Sequence, residues 1–149
     1  MTRHGAIQLL RDIEGEYHAA RFALPDALRR ALEDPTILGA SGPDFSDLRR
    51  AVRHLEITYV IRLFAYFEGT SRALWATARS TEPPMKDLLD GLAARCRTPA
   101  DLLDDAHAVR EYRNEIVHEG ETAARLAMPE CRSRLARFMS HFPPQWERR

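Results

Sequence analysis

Lysine is almost missing from this chain: Lys86 stands alone against 21 arginines. Guanidinium forks suit recognition of flat anionic groups, but GC-rich coding explains the bias more simply. Net charge is missing as well. The 22 basic and 22 acidic residues cancel, so no global positive field draws in nucleic acid, and any RNA or DNA contact must be local. Cysteine is scarce. Cys96 and Cys131 stand apart without metal-ligand spacing, and with no signal-like N-terminus they read as reduced thiols in a cytosolic protein. The most apolar run, Ile57 to Phe67, is interrupted by Arg62 and falls well short of the roughly 20 residues a membrane span needs, so it reads as a core helix and no membrane partner is expected. No segment alternates apolar and polar residues with β-branched enrichment, which excludes strands. Repeats, heptad runs and low-complexity tracts are absent too, which argues against repeat scaffolds and long coiled coils.

What is present is helical periodicity. A chain of 149 residues can bury a real core, and no composition break divides it, so a single domain is expected. From about Ala6 to Glu33, the residues Leu10, Ile13, Tyr17, Ala20, Leu24, Leu28 and Leu32 recur at spacings of three and four, one face of a helix. Pro25 lacks a backbone donor and disfavours helical geometry at Leu24, which predicts a kink or two helices meeting there. Asp34-Pro35 ends the segment, and residues 36–43, rich in Gly and Pro, read as a surface loop. Asp44 or Ser46 caps the longest helix, the spine, which runs to about Arg79 and turns Leu48, Val52, Leu55, Tyr59, Leu63, Tyr66 or Phe67, and Leu74 inward. Met85, Leu88, Leu89 and Leu92 mark a third helix ending near Cys96.

Thr98-Pro99-Ala100-Asp101 opens the fourth. The Thr hydroxyl can cap it, Pro99 needs no partner at the first helical position, and Asp101, Asp104 and Asp105 oppose the positive helix end. Gly120 is its natural stop. A fifth helix starts near Pro129, carries Cys131, Leu135, Phe138, Met139 and Phe142, and breaks at Pro143-Pro144, after which Trp146 folds back on the bundle. The expected fold is an all-α, up-and-down bundle of four to five helices, its core spanning about 44–142 with the 6–33 helix packed on it.

The fourth helix carries the chemistry. At 100° per residue, Leu102, Ala106, Val109, Arg113 and Ile116 form one stripe facing the bundle, so Arg113 stands where an apolar residue is expected. A guanidinium there needs a carboxylate, a cavity or a bound anion to offset its desolvation. Arg110, Asn114 and His118 form a polar stripe beside it, with Arg110 as a supporting or substrate-binding residue. Helix C-terminal carbonyls favour a cation, which suits an imidazole at His118 to acid–base work near neutral pH. Arg113 can stabilise charge on a phosphate, while Asn114 orients the histidine or holds a phosphate oxygen. The Arg-to-His spacing is weak alone: about one such pair is expected by chance, and Arg49 with His54 repeats it. Specificity lies in the whole pattern, Arg113-Asn114-x-x-x-His118-x-Gly120, closing a helix that follows a longer amphipathic one.

That pattern resembles the signature of the HEPN superfamily of small helical-bundle proteins, an Arg commonly followed by a polar residue and then a His near the end of a late helix. The bundle resemblance covers roughly Asp44 to Phe142. It implies a metal-independent endoribonuclease without cofactor, often a toxin or effector in bacterial conflict and toxin–antitoxin systems, with two motifs meeting across a symmetric homodimer. Carried over, His118 is the acid–base residue that assists attack of an RNA 2′-hydroxyl on the neighbouring phosphate, and Arg113 stabilises that phosphate. The products end in a 2′,3′-cyclic phosphate. One subfamily carries a Tyr two residues after the His, the target of a partner nucleotidyltransferase. Gly120 stands there instead, which puts that regulation in doubt and leaves a different antitoxin partner open.

Other candidates divide between function and scaffold. Glu68 could pair with Arg113 across the bundle as a supporting residue, but Glu68 and Arg72 also form an ordinary i,i+4 pair. Tyr59, Arg62 and Tyr66 share a face that could stack on bases or lie at a bundle or dimer edge. His107 and Glu111 have a metal pair's spacing without a third ligand, so solvated surface is the better reading and no metal is expected. Arg49, Arg50 and Arg53 make a basic cluster that is either solvated or tracks an RNA backbone. Two functional alternatives remain: a non-catalytic module of the same fold that binds a nucleotide, RNA or protein partner, and a scaffold or immunity partner whose dimer interface is the whole function.

Overall fold

Thr2 starts the first helix, its hydroxyl accepting from the Gly5 N–H at 3.1 Å. In the computed structural model, which describes residues 1–39, 42–119 and 125–147, that helix is α1, Arg3–Glu33. A short 3₁₀ turn, Pro35–Leu38, follows, and then α2, Phe45–Ala76, α3, Met85–Cys96, α4, Ala100–Glu119, and α5, Met128–Met139. Among the described residues there is no strand, only an isolated bridge between Thr2 and Gln145. The fold is an all-α bundle. No helix among the described residues is long and apolar enough to cross a membrane.

The local signals explain these boundaries. A reciprocal capping box joins Asp44 and Asp47 at the start of α2, with the Asp44 carboxylate accepting from the Asp47 N–H at 2.7 Å. Arg97 adopts a left-handed conformation, φ 53°, and turns the chain from α3 toward α4. Beyond α5, Trp146 does fold back. It stacks edge-on against Phe142 at 5.8 Å, and its backbone N–H donates to the Met1 carbonyl at 2.9 Å. Gly120 and residues 40–41 of the expected loop lie outside the described residues.

Two expectations need correction. The chain does not divide at Pro25, which sits inside one continuous α1. Pro25 and Arg21 are both exposed, so the Arg21 carbonyl that loses its helical donor is free to meet water. Leu32 does not face inward: it is 62% exposed, and Ala31 takes the buried place. Repeated four-residue steps advance about 40° per step on a 3.6-residue helix, so Leu24, Leu28 and Leu32 walk off the inner face.

At about 1.5 Å per residue, α1 and α2 each run some 45 Å and outreach the shorter helices. The core explains where they stop packing against the rest. In α1 it takes Ala6, Leu10, Ile13 and Tyr17; in α2 it begins only at Val60. Leu55, Ile57 and Tyr59 still pack against that core, and beyond them residues 18–33 and 45–54 form a two-helix arm, closed by half-buried Leu24, Leu28, Leu48 and Val52, with Phe22 exposed near its base.

The remaining directions follow from contacts. Phe67 meets Phe138 at 5.9 Å, and Glu56 accepts from the Met128 N–H, so α5 runs parallel to α2. Arg137 of α5 pairs with Asp105 near the start of α4, so α4 runs antiparallel to both. The last turn of α4 thus points toward the arm.

Candidate functional site

On α4, Leu102, Ala106, Val109 and Ile116 are buried, as the stripe requires, and Arg113 among them is half-buried. Its guanidinium lies over the Phe64 ring, 5.9 Å from the ring centre. Its Nη1 donates to Asn114 Oδ1 at 3.0 Å. Among the described residues no carboxylate pairs with it. The aromatic face supplies part of what desolvation costs, worth about 0.5–2 kcal/mol depending on exposure. Among the described residues one of its five N–H donors is engaged, which leaves a fork to offer an anion.

Asn114 is half-buried, and with its oxygen committed to Arg113 it presents its NH₂ as a donor. His118 lies one turn further on, in the last turn of α4, exposed and without a hydrogen bond or ion pair to any described residue. The structure thus joins Arg113 to Asn114 and leaves His118 accessible beside them. Val117, next to it, is 48% exposed.

The two supporting residues fall elsewhere. Glu68 is committed on its own helix, its Oε1 accepting from Arg72 Nη2 at 2.7 Å and Nε at 2.9 Å, while Arg72 also donates to the Pro83 carbonyl. This is the i,i+4 pair, extended to hold the α2–α3 connection. Arg110 is mostly buried; its Nη2 pairs with exposed Glu111 at 3.0 Å, and its Nε is buried without a partner.

Two of the other clusters resolve as scaffold. Arg62 pairs with Glu16 on α1, and Tyr59 lies 5.7 Å from the Tyr17 ring, so that face joins α1 to α2. His107 is not solvated surface. Its Nε2 meets Asp90 Oδ1 at 2.8 Å, tying α4 to α3, and with Lys86 it holds the Asp90 carboxyl below its ordinary range, the Lys86 bond being the larger cause. Among the described residues no cluster of three His, Cys, Asp or Glu could hold a metal.

Sequence reasoning missed Glu56. This half-buried carboxylate accepts from the Met128 N–H at 2.9 Å, so it caps α5 from α2. Burial first, then Glu56, pushes the Tyr17 phenol above its ordinary value. No local pattern signals such a cap, because donor and acceptor are 72 residues apart. Glu56→Ala leaves the start of α5 uncapped and is expected to cost about 1–2 kcal/mol. Urea denaturation measures the loss; a change below about 0.3 kcal/mol would contradict the cap.

Cys131, fully buried beneath that cap, has its thiol pushed up to about 12, chiefly by burial. Since thiolate is the reactive form, the native protein should modify at Cys131 only on unfolding, while half-buried Cys96 reacts first. Timed labelling with a thiol reagent, with and without denaturant, checks this. The folded value exceeds the ordinary one near 9, so this stabilisation is complete below about pH 9 and is lost as pH rises toward 12.

Set against known protein families, curated proteins and solved structures, the chain matches none.

Proposed function

We propose that this protein is a metal-independent endoribonuclease of the HEPN type, acting as a toxin or effector in a bacterial conflict system, and that Arg113, Asn114 and His118 form its site. The observation that carries this reading is the end of α4: a half-buried arginine, oriented by Asn114 and Phe64 with donors unused by any described residue, about 1.4 turns from an exposed imidazole.

In the reaction the RNA 2′-oxygen attacks the adjacent phosphorus, forming the O2′–P bond as the P–O5′ bond breaks. One imidazole accepts the 2′-hydroxyl proton, and an acid returns a proton to the departing 5′-oxygen. Arg113 stabilises the charge that builds on the phosphate oxygens, and the Asn114 amide donates to one of them. His118 has no acid–base partner among the described residues of its own chain. A twofold homodimer supplies the second imidazole by symmetry, and exposed Val117 gives the contact an apolar edge. The protein works in the cytoplasm, where its RNA substrate is, and an antitoxin partner restrains it.

The accessible fork of Arg113 also supports a second reading, a non-catalytic module of the same fold that holds a phosphate without turning it over. Metal-free incubation with mixed RNA separates the two. Cleavage by wild type that is lost in Arg113→Ala supports the nuclease, whereas RNA binding without cleavage supports the module.

A further inference from the structure

The face of α2 that serves the core does not end with the core. On a 100° wheel, Phe45, Arg49, Arg53, Val60, Phe64 and Phe67 lie within about 100° of one another. Val60, Phe64 and Phe67 are buried, and Phe64 carries the Arg113 guanidinium. α1 covers a different side, through Leu48, Val52, Leu55 and Tyr59. Because α4 runs antiparallel to α2 and stops at Glu119, six residues past Arg113, it ends before reaching the arm. Past that point the stripe carries Glu56, held by the Met128 N–H, and then exposed Arg53 and Arg49.

Arg49 on this stripe, with Arg50 beside it, is arranged for anion contact. Arg49 lies over the Phe45 ring at 5.0 Å and makes no ion pair with a described carboxylate, so its fork is held outward. Arg50 has only a loose contact to Asp47 at 3.6 Å, with both side chains more than half exposed. Phe45, Ser46, Arg49, Arg50 and Arg53 line a shallow cavity of about 190 Å³. On α1, Asp26 and Glu33 are paired with Arg29 and Arg30.

We propose that this stripe is a phosphodiester track, which holds the single strand flanking the bond that Arg113 and His118 engage. It rests on the nuclease reading only for the choice of RNA. Arg49 is 15 residues from Phe64, about 22 Å along the helix, so the track acts on oligonucleotides and is out of a dinucleotide's reach. Contacts are to phosphate, so the track does not distinguish RNA from DNA.

The test is binding of a fluorescent single strand of about 12 nucleotides, as RNA and as DNA, to His118→Ala protein with and without Arg49→Gln/Arg50→Gln. The double substitution should weaken both strands at least tenfold. It should also flatten the salt dependence by about 1.4 in log–log slope, two phosphates at about 0.7 each. Lysine at both positions should restore most of the affinity, and the exposed positions leave the melting temperature unchanged. Unaltered affinity, no binding by the parent protein, or equal displacement by polyglutamate would overturn the track, the last by reassigning the stripe to an acidic protein. Arginine-dependent binding without RNA cleavage by wild type would sink the nuclease and keep the track. Cleavage of long RNA indifferent to Arg49 and Arg50 would do the reverse.

Discussion

If the proposed nuclease reading holds, His118→Ala is expected to lower metal-free RNA cleavage by about 10²–10⁴-fold, the usual contribution of a positioned acid–base group. The same variant keeps its stability within about 0.5 kcal/mol, because the imidazole is exposed and bonded to no described residue. The pairing of these outcomes is the informative part. A histidine that served the scaffold would lose both together, whereas one held at the end of α4 for chemistry loses only turnover. Single-turnover cleavage and a urea titration of the same preparation measure the two.

Phe138→Ala should have the opposite profile, costing about 3–5 kcal/mol of stability. Phe138 is fully buried at the centre of an aromatic series, 5.9 Å from Phe67 and 5.7 Å from Phe142, which in turn meets Trp146. Truncation opens a cavity and removes two edge-to-face contacts worth about 0.5–1.5 kcal/mol each beyond area burial. At about 2–4 °C per kcal/mol for a chain of this size, the midpoint should fall by about 10 °C. A fall below about 3 °C would mean that the centre of the bundle lies elsewhere.

The helices were legible because their signals are local. Asp44 marks a helix start, and Leu10, Ile13 and Tyr17 keep their period, whereas the Thr98 hydroxyl expected to cap α4 makes no hydrogen bond to any described residue and α4 begins one residue past Pro99, at Ala100. The bundle class follows from those alone. The reach of α1 and α2 beyond their neighbours was not legible. Leu24, Leu28, Leu48 and Val52 have core periodicity, but they pack only helix on helix in the arm, and periodicity does not say how many partners a face has. Leu32 failed for the same reason that Ala31 succeeded, a drift of register invisible in a list of leucines.

At the site, the sequence singled out Arg113 by its place on an apolar stripe, and its half-buried seat over Phe64 is the physical answer to that anomaly. The neighbour offered for it, Glu68, was a residue of the right charge on the wrong pair, since Arg72 one turn away holds it. Glu56 carried no signal, because a carboxylate that caps a helix 72 residues later looks like any surface glutamate. Long-range polar pairings of this kind are set by the packing of α5 on α2, which is a property of the assembled bundle.

The measurement closest to the central claim is cleavage of an end-labelled RNA in EDTA, beside the same RNA with one 2′-deoxynucleotide at the cleaved position. The account predicts scission by wild type that leaves a 2′,3′-cyclic phosphate, is blocked at the deoxy position, and is lost in His118→Ala and Arg113→Ala. Cleavage that passes the deoxy position, or that proceeds equally in all three proteins, would contradict it.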